Sequence, residues 1–305
     1  MFNNIQTPEI AEAKSSFDKC VRTIKLVGRL LFGQGIAAHV YDYSYFPSPR
    51  NWDKMPCGNV YEKIISRNKN DYFDYVQNCS QFMDKFKTIP VNKPSDAIAP
   101  FWNNGFFPPF DAAMLYGLIA LKKPAVYMEV GSGNSTKFVR RAISDYDIDT
   151  RVISVDPYPR AEIDVLCNEV LRVRAETLPV EKFAALNSGD ILFIDNSHRS
   201  FQNSDVTFFF TEILPNLKSG VIYGMHDIFL PNDYPSSWTM RFYNEQYLLM
   251  TYLLGGAGGD KILFPVAYMS YRDDVEKALL GENGGEEAPW GKQPLQGGAF
   301  WMVKA

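Results

Sequence analysis

Hydrophobic and polar positions follow two different patterns along the chain, and the change falls near residue 100. Before it, apolar residues recur at helical spacing over about residues 8–32 and 60–88, with an aromatic, proline-rich stretch between them. After it, short apolar runs alternate with amphipathic segments. We therefore predict a helical N-terminal region, 1–100, followed by an α/β domain, 101–305.

Short apolar runs in the second region have the length of buried strands. Amphipathic segments of helical spacing separate the first five, which is typical of a parallel sheet with helices on both faces. A longer helix is predicted at about 237–254, and the glycine-rich segment 281–298 is predicted to be a loop. The predicted strands are Ala125–Val130, Val152–Val155, Val170–Val173, Ile191–Ile194, Gly220–Met225, Ile262–Met269 and Gly298–Val303.

Composition narrows the classes of protein. The chain has 305 residues, of which 46% are hydrophobic and 22% charged, and its net charge is −4. That balance is typical of a soluble globular protein and argues against binding along nucleic-acid backbones. No apolar run approaches the roughly 18 residues of a membrane span, and no basic signal-peptide segment opens the chain. The scattered cysteines indicate reduced thiols, so we expect a cytoplasmic protein. They are Cys20, Cys57, Cys79 and Cys167.

The first strand runs into the sequence EVGSGNST, which ends at Thr136. Glycines after a strand let a nucleotide-like ligand approach the backbone closely. Thr136 stands where a dinucleotide fingerprint has its third glycine, which argues against NAD. The second strand ends at Asp156, whose carboxylate suits ribose hydroxyls.

The segments EVGSGNST, SVDP and GDILFIDNSHRS together resemble class I S-adenosylmethionine (SAM)-dependent methyltransferases over roughly residues 105 to 305. The resemblance implies a Rossmann-like, seven-stranded, doubly wound sheet, mostly parallel, with the last-inserted strand antiparallel. It implies SAM as the cofactor and the N-terminal helices, within 1–100, as a lid that helps to choose the acceptor. It assigns cofactor binding to Glu129, Gly131, Ser132, Gly133 and Ser135 around the methionine end, Asp156 at the ribose, Glu176 at the adenine and Asp195 beside the sulfonium.

The stretch FIDNSHRS places Asp195 at the end of the fourth strand and His198 three residues later. This spacing resembles the metal-dependent O-methyltransferases, in which the aspartate binds a divalent ion and the later residue is a general base. An acceptor hydroxyl becomes a good nucleophile once it loses its proton, and an imidazole has an ordinary pKa of about 6.5, close to working pH. We predict His198 as the base, with Asp195 orienting the acceptor or holding a cation.

The fifth strand ends in YGMHDI, which contains His226 and Asp227. Metal-dependent relatives place an adjacent pair of ligands here, usually two acids or an acid and an asparagine. The resemblance therefore implies Asp195, His226 and Asp227 as ligands of Mg²⁺ or another divalent cation. Imidazole suits Zn, Fe or Mn better than Mg²⁺, so a metal-free site with His226 as the base stays open.

Aromatic and polar residues flank the predicted site before the first strand and after the fifth. Such faces suit a sugar ring or an aryl group, so the expected partner is a small-molecule or sugar acceptor. A homo-oligomer is left open. The predicted substrate residues are Trp102, Phe106, Asp111, Tyr234 and Trp238.

Four other functions stay open at the level of sequence. They are an NAD(P)-dependent oxidoreductase, an Fe(II)- and 2-oxoglutarate-dependent hydroxylase, a non-catalytic protein with the SAM-binding fold, and an N-methyltransferase. The hydroxylase lacks a visible His-x-Asp motif. The non-catalytic protein does not explain catalytic residue types at two strand ends.

Overall fold

The computed structural model describes residues 60–159, 161–281 and 287–305, together with Val21, Ile24 and Pro47. Of the helix predicted over 8–32, only Val21 and Ile24 are described, and both are helical. The chain divides into a unit Met1–Phe46 and a unit Pro47–Ala305. All the features below belong to the second unit.

The centre of this unit is a seven-stranded sheet with the order β3-β2-β1-β4-β5-β7-β6. Strands β1 to β5 run parallel, whereas β7 is inserted between β5 and β6 and is antiparallel to both. The predicted fold is confirmed. The strands are β1 Val126–Val130, β2 Arg151–Val155, β3 Glu169–Leu171, β4 Ile191–Ile194, β5 Ile222–Met225, β6 Lys261–Pro265 and β7 Phe300–Val303.

Helices cover the sheet. A π-helical turn, Phe209–Ile213, interrupts the helical path after β4, and a 3-10 turn, Ser236–Arg241, follows β5. The α-helices are α1 Val60–Ile65, α2 Lys69–Cys79, α3 Met83–Phe86, α4 Pro109–Lys122, α5 Asn134–Asp145, α6 Glu181–Ala184, α7 Asp205–Phe208, α8 Leu214–Asn216, α9 Glu245–Leu254, α10 Val266–Ser270 and α11 Val275–Leu280.

Strand register brings the ends of four strands to one edge. Val130 of β1 pairs with Val155 of β2 and with Ile194 of β4, and Ile194 pairs with Met225 of β5. The residues that follow these strands therefore emerge side by side. The strand order reverses between β1 and β4, and in open parallel sheets this switch point is where ligands bind.

Buried hydrophobic residues from Ile65 to Ile89 belong to the same hydrophobic core as the sheet. The ring of Tyr72 in α2 meets Phe264 of β6 edge-on at 6.2 Å, and the Tyr75 hydroxyl donates to the Met114 carbonyl of α4 at 3.0 Å. The division predicted at residue 100 stays a prediction. The role of residues 1–100 as a lid stays a prediction.

Two predicted elements differ from the sequence pattern, one by ending early and one by a break. The strand predicted over Ile262–Met269 stops at Pro265, which has no backbone N–H for a sheet ladder, and α10 follows it. The helix predicted over 237–254 breaks at Phe242, which has a left-handed φ of 55°. Asn244 instead donates its N–H to the carbonyl of His198 at 2.9 Å. This tertiary contact outweighs the helical propensity of the segment.

Candidate active site

A cavity of about 1200 Å³ opens at the ends of β1, β2, β4 and β5. Ligand pockets commonly measure about 300–1,000 Å³, so this one has room for a cofactor and a second molecule together. One side is formed by the turn after β1 and by Asp156. The other side is formed by residues that follow β4 and β5, including Asp195, His198, His226 and Asp227.

Glu129, which is fully buried, stabilises the turn after β1 through hydrogen bonds. Its carboxylate accepts hydrogen bonds from Tyr127 at 3.0 Å and from Thr136 at 2.5 Å, and Thr136 in turn accepts from the N–H of Gly133 at 3.1 Å. Burial raises the pKa of Glu129 to about 7, against the opposing effect of hydrogen bonds from Ser135, Thr136 and Tyr127. Glu129 does not line the cavity. Its predicted contact with the cofactor stays a prediction.

The carboxylate of Asp156 joins the turn to β2. It accepts from the N–H of Ser132 at 2.8 Å and from the N–H of Tyr158 at 2.7 Å. Asp156 also faces the cavity, so its remaining acceptor capacity is available to a ligand. The other predicted cofactor residues that line the cavity are Gly131, Ser132, Gly133, Ser135, Glu176 and Asp195.

Packing within the protein requires a glycine at position 131. Gly131 has a left-handed φ of 81°, and a Cβ at this position would lie 1.7 Å from the carbonyl oxygen of Asp195. The close approach predicted for this glycine is therefore to the chain after β4. Gly133 is different, because a Cβ there would meet no protein atom within 4 Å. Gly133 is the glycine whose missing side chain leaves room for a ligand.

Two aspartates and two histidines meet where β4 and β5 end, and we call these four residues the Asp–His cluster. Nε2 of His198 lies 3.4 Å from Asp195 and 3.3 Å from Asp227. Nδ1 of His226 lies 3.4 Å from Asp195 and 3.5 Å from Asp227. The predicted catalytic residues are thus brought together in one place.

A second pair of carboxylates binds the outer ring nitrogens. Nδ1 of His198 lies 2.9 Å from Glu245, and Nε2 of His226 lies 3.2 Å from Asp111. Glu245 is absent from the sequence-based predictions because it sits inside a predicted helix with no motif around it. Asp111 is predicted as a substrate residue, and that role stays a prediction. It is buried, and its carboxylate accepts from the N–H groups of Gly298 and Ala299 and contacts His226.

The surrounding carboxylates change the ionisation of the cluster. Burial lowers the pKa of His198, but contacts with Asp195, Glu245 and Asp227 outweigh burial and raise it to about 10. The pKa of His226 is raised well above its usual value in the same way. Burial raises the pKa of Asp195, but the charge of His226 and the contacts with both histidines hold it well below its usual range. The raised pKa of both imidazoles favours their protonated forms, contrary to the ordinary pKa assumed from sequence.

Two members of the cluster have strained backbone. His198 has a φ of 57° and Asp227 a φ of 55°, both in the left-handed region that non-glycine residues seldom adopt. The strained turn at His198 is held by Asn196, whose side-chain oxygen accepts from the His198 N–H at 2.8 Å. Backbone strain of this kind tends to gather at functional sites.

Among residues 60–159, 161–281 and 287–305, no group of three or more His, Cys, Asp or Glu side chains is arranged to hold a metal ion. The predicted ligands Asp195, His226 and Asp227 do meet. They meet as ion pairs, with an imidazole nitrogen beside each carboxylate. As they stand, these side chains do not fit a bound metal.

The predicted substrate residues divide into two groups. Phe106, 64% exposed, and Trp238 line the cavity. Trp102 and Tyr234 are buried and do not line it, because Trp102 packs against Phe86 of the core and the ring of Tyr234 packs against Phe229 and its neighbours. Arg241 and Tyr243, which are absent from the sequence-based predictions, also line the cavity. Arg241 stacks over Trp238 at 3.8 Å, and the ring of Tyr243 lies 4.6 Å from that of His198.

The sheet order, the glycine turn after β1 and the acid after β2 define a Rossmann-like methyltransferase fold. Residues 128–228 match the family model Methyltransf_24, described as a methyltransferase domain. The resemblance inferred from the sequence motifs is confirmed. The segment 128–228 is thus similar to a methyltransferase domain.

Solved structures with similar folds are methyltransferases of low sequence identity. Podospora anserina methyltransferase PaMTH1, bound to SAH, is 10% identical, with 76% of this chain and 88% of that chain covered and a TM-score of 0.39. A putative O-methyltransferase from Klebsiella pneumoniae is 10% identical, with 77% and 90% covered and a TM-score of 0.34. MycE from the mycinamycin pathway, in complex with Mg, SAH and mycinamycin VI, is 11% identical, with 75% and 54% covered and a TM-score of 0.37.

No curated protein matches the chain significantly. Within the described residues, no helix has the length and apolar character needed to cross a membrane.

Proposed function

We propose that this protein transfers a methyl group from SAM to a hydroxyl group of a small-molecule or glycan acceptor. The observation that carries the proposal is one cavity that joins two sites. The turn around Gly133 and the carboxylate of Asp156 suit a nucleoside cofactor, and the Asp–His cluster suits deprotonation of an acceptor.

The cofactor side supports SAM through specific groups. Gly133 leaves open space above the turn, and Asp156 presents a carboxylate next to it. Ala175 and Glu176, after β3, line the same cavity where the resemblance implies the adenine. When bound, SAM would supply the methyl group and leave as the demethylated product.

The acceptor side supports general-base catalysis. The acceptor O–H proton would move to Nε2 of His198, and the acceptor oxygen would form the new bond to the methyl carbon as its bond to sulfur breaks. Asp195 and Asp227, both within 3.4 Å of that nitrogen, would stabilise the resulting imidazolium. The base must first be neutral, so the raised pKa of His198 predicts better catalysis at alkaline pH. His226 is the alternative base, because its Nδ1 faces the same carboxylates.

A divalent cation is a second candidate at this site, and the charge of the site is the reason to test it. Four carboxyl groups, on Asp111, Asp195, Asp227 and Glu245, surround two imidazoles. Even two protonated imidazoles leave an excess of negative charge if all four groups are ionised. Because the side chains do not fit a metal as they stand, we assign no catalytic step to one.

The decisive experiment measures methyl transfer from labelled SAM to a panel of hydroxyl and amine acceptors, with and without EDTA. We expect labelled ethers from hydroxyl acceptors. Labelled amines alone would make the protein an N-methyltransferase. Loss of activity in EDTA that Mg²⁺ or Mn²⁺ restores would establish the cation. A protein that binds neither SAM nor SAH in calorimetry would contradict the proposal, and NADH binding in the same assay would favour an oxidoreductase.

A further inference from the structure

We propose that Glu245 and Asp111 are positioning residues that fix the ring protons of His198 and His226 on opposite nitrogens. Glu245 would keep a proton on Nδ1 of His198, and Asp111 would keep one on Nε2 of His226. The catalytic consequence rests on the proposed function. The placement of the protons rests on hydrogen-bond geometry alone.

The carboxylate of Glu245 is fully buried and bound at both oxygens. Oε2 lies 2.9 Å from Nδ1 of His198, and Oε1 accepts from the side-chain amide of Asn196 at 3.4 Å. The orientation of that amide is set independently, because its oxygen accepts from the His198 N–H at 2.8 Å. The ionised carboxylate of Glu245 presents only acceptors to the ring, so Nδ1 is then the donor.

Asp111 acts on His226 in the same way from the opposite side of the cluster. Its two oxygens accept from the N–H groups of Gly298 and Ala299, each at 2.7 Å, and one of them lies 3.2 Å from Nε2 of His226. Asp111 is 1% exposed and does not line the cavity. It therefore acts through His226, and Nε2 of that ring must carry a proton.

The two imidazole rings face the aspartates of the cluster through different nitrogens. Nε2 of His198 and Nδ1 of His226 lie next to Asp195 and Asp227. With the outer nitrogens protonated, each ring can only gain or lose its second proton at the inner nitrogen, beside Asp195 and Asp227. In its neutral form His198 would carry its proton on Nδ1 and His226 on Nε2. Both rings would then exchange their second proton at nitrogens that face the same point in the cavity.

The Glu245→Gln variant separates this role from simple packing. A glutamine of the same shape would keep its carbonyl on the Asn196 amide, so its NH₂ group would face Nδ1 of His198. The neutral ring would then accept at Nδ1 and carry its proton on Nε2, which is the wrong tautomer for a base. In the serine-protease triad the equivalent carboxylate-to-amide change costs about 10⁴-fold in kcat.

The test is NMR of the protein labelled with ¹⁵N-histidine, recorded without cofactor or acceptor. The chain has only three histidines, His39, His198 and His226, so single substitutions assign the signals. We expect an exchange-protected N–H on Nδ1 of His198 and another on Nε2 of His226, whether the rings are neutral or charged. Glu245→Gln should remove the first and keep the second, which also shows that the variant has folded.

Glu276→Gln is the matched control. Glu276 accepts from the ring N–H of Trp290 at 3.2 Å, outside the cavity, so both histidine signals should persist. Absence of the Nδ1 signal in the wild type, or its persistence in Glu245→Gln, would overturn the proposal.

The catalytic arm uses whichever acceptor the labelled-SAM panel identifies. Glu245→Gln should lower kcat by roughly 10²–10⁴-fold with little change in KM for SAM, whereas Glu276→Gln should not. An unchanged kcat together with a lost Nδ1 proton would remove the positioning role. If no methyl transfer is found at all, the proposed function fails while the NMR result still decides the placement of the protons.

Discussion

The two halves of the cavity are built in different ways. The half at the ends of β1 and β2 consists of residues close together in sequence, Glu129 to Thr136. Hydrogen bonds join them within the turn, and the Ser132 N–H donates to the carboxylate of Asp156. The half at the ends of β4 and β5 contains the Asp–His cluster, with Asp111 from α4 and Glu245 from α9 behind it. The first half is a local turn that shapes space, and the second is a charged network assembled across the domain.

This difference predicts how each half fails when it is altered. Substitutions in the turn should act through shape, on cofactor binding or on folding. Substitutions of the histidines in the network, and of Glu245, should act through charge and proton position, on rate and on pH dependence, with little effect on cofactor affinity.

The largest expected effect is on rate, in the network. His198→Ala should lower kcat by about 10²–10⁴-fold with little change in the Kd of SAM, because the base acts in the transition state. Steady-state kinetics together with calorimetry would measure both. A dead His226→Ala variant beside an active His198→Ala variant would instead identify His226 as the base.

The second largest expected effect distinguishes the glycine of the turn that is needed for folding from the glycine that is needed for SAM binding. Gly131→Ala should destabilise the protein by several kcal/mol, because the new Cβ would overlap the Asp195 carbonyl at a left-handed φ. Gly133→Ala should leave stability nearly unchanged and weaken SAM binding, since its Cβ meets no protein atom. Thermal unfolding and calorimetry would distinguish the two.

Gly255→Ala is the control for both glycine variants, because its Cβ would lie at an ordinary 3.5 Å from Thr251 and Tyr252, outside the cavity. Its SAM affinity should match that of the wild type. Unchanged SAM affinity in Gly133→Ala would move the cofactor away from the turn.

A third effect is the response of the network to pH. The folded-state pKa of His198 is raised from the usual 6.5 to about 10. Its contribution to stability is therefore fully present below about pH 6.5 and is lost as pH rises to 10, a change on the order of a few kcal/mol. We expect Tm to fall over this interval and kcat/KM for the acceptor to rise. A rate that levels off near pH 6.5 would show that the carboxylates do not hold the proton in the active enzyme.

The smallest expected effect is at the rim of the acceptor side. Trp238→Ala should raise KM for the acceptor by about tenfold or less and leave SAM binding intact, since it removes one aromatic wall and the stacking of Arg241. Kinetics with the acceptor from the panel would measure this. Leu254→Ala, at an exposed position that does not line the cavity, is the control. An unchanged KM in Trp238→Ala would place the acceptor elsewhere in the cavity.

The sequence by itself determined the first five strands, their parallel arrangement and the residues that follow them. Buried strands appear as continuous apolar runs, and the motif residues follow each run directly, so Asp156, Asp195 and His226 are readable from order alone. The sequence alone also distinguishes the glycine turn from a dinucleotide-binding motif, because Thr136 stands where that motif has its third glycine. These features depend on residues that are neighbours in the chain, so the sequence alone is enough to predict them.

Only the tertiary structure decided what surrounds those residues. Glu245 and Asp111 lie far from the histidines in sequence, and they reach them because α9 and α4 pack against the strand ends. Packing against other parts of the chain buries Trp102 and Tyr234, which the sequence predicts as substrate residues. The pKa of His198 follows from this environment. Burial and the carboxylates nearby set it, and both depend on how distant segments meet.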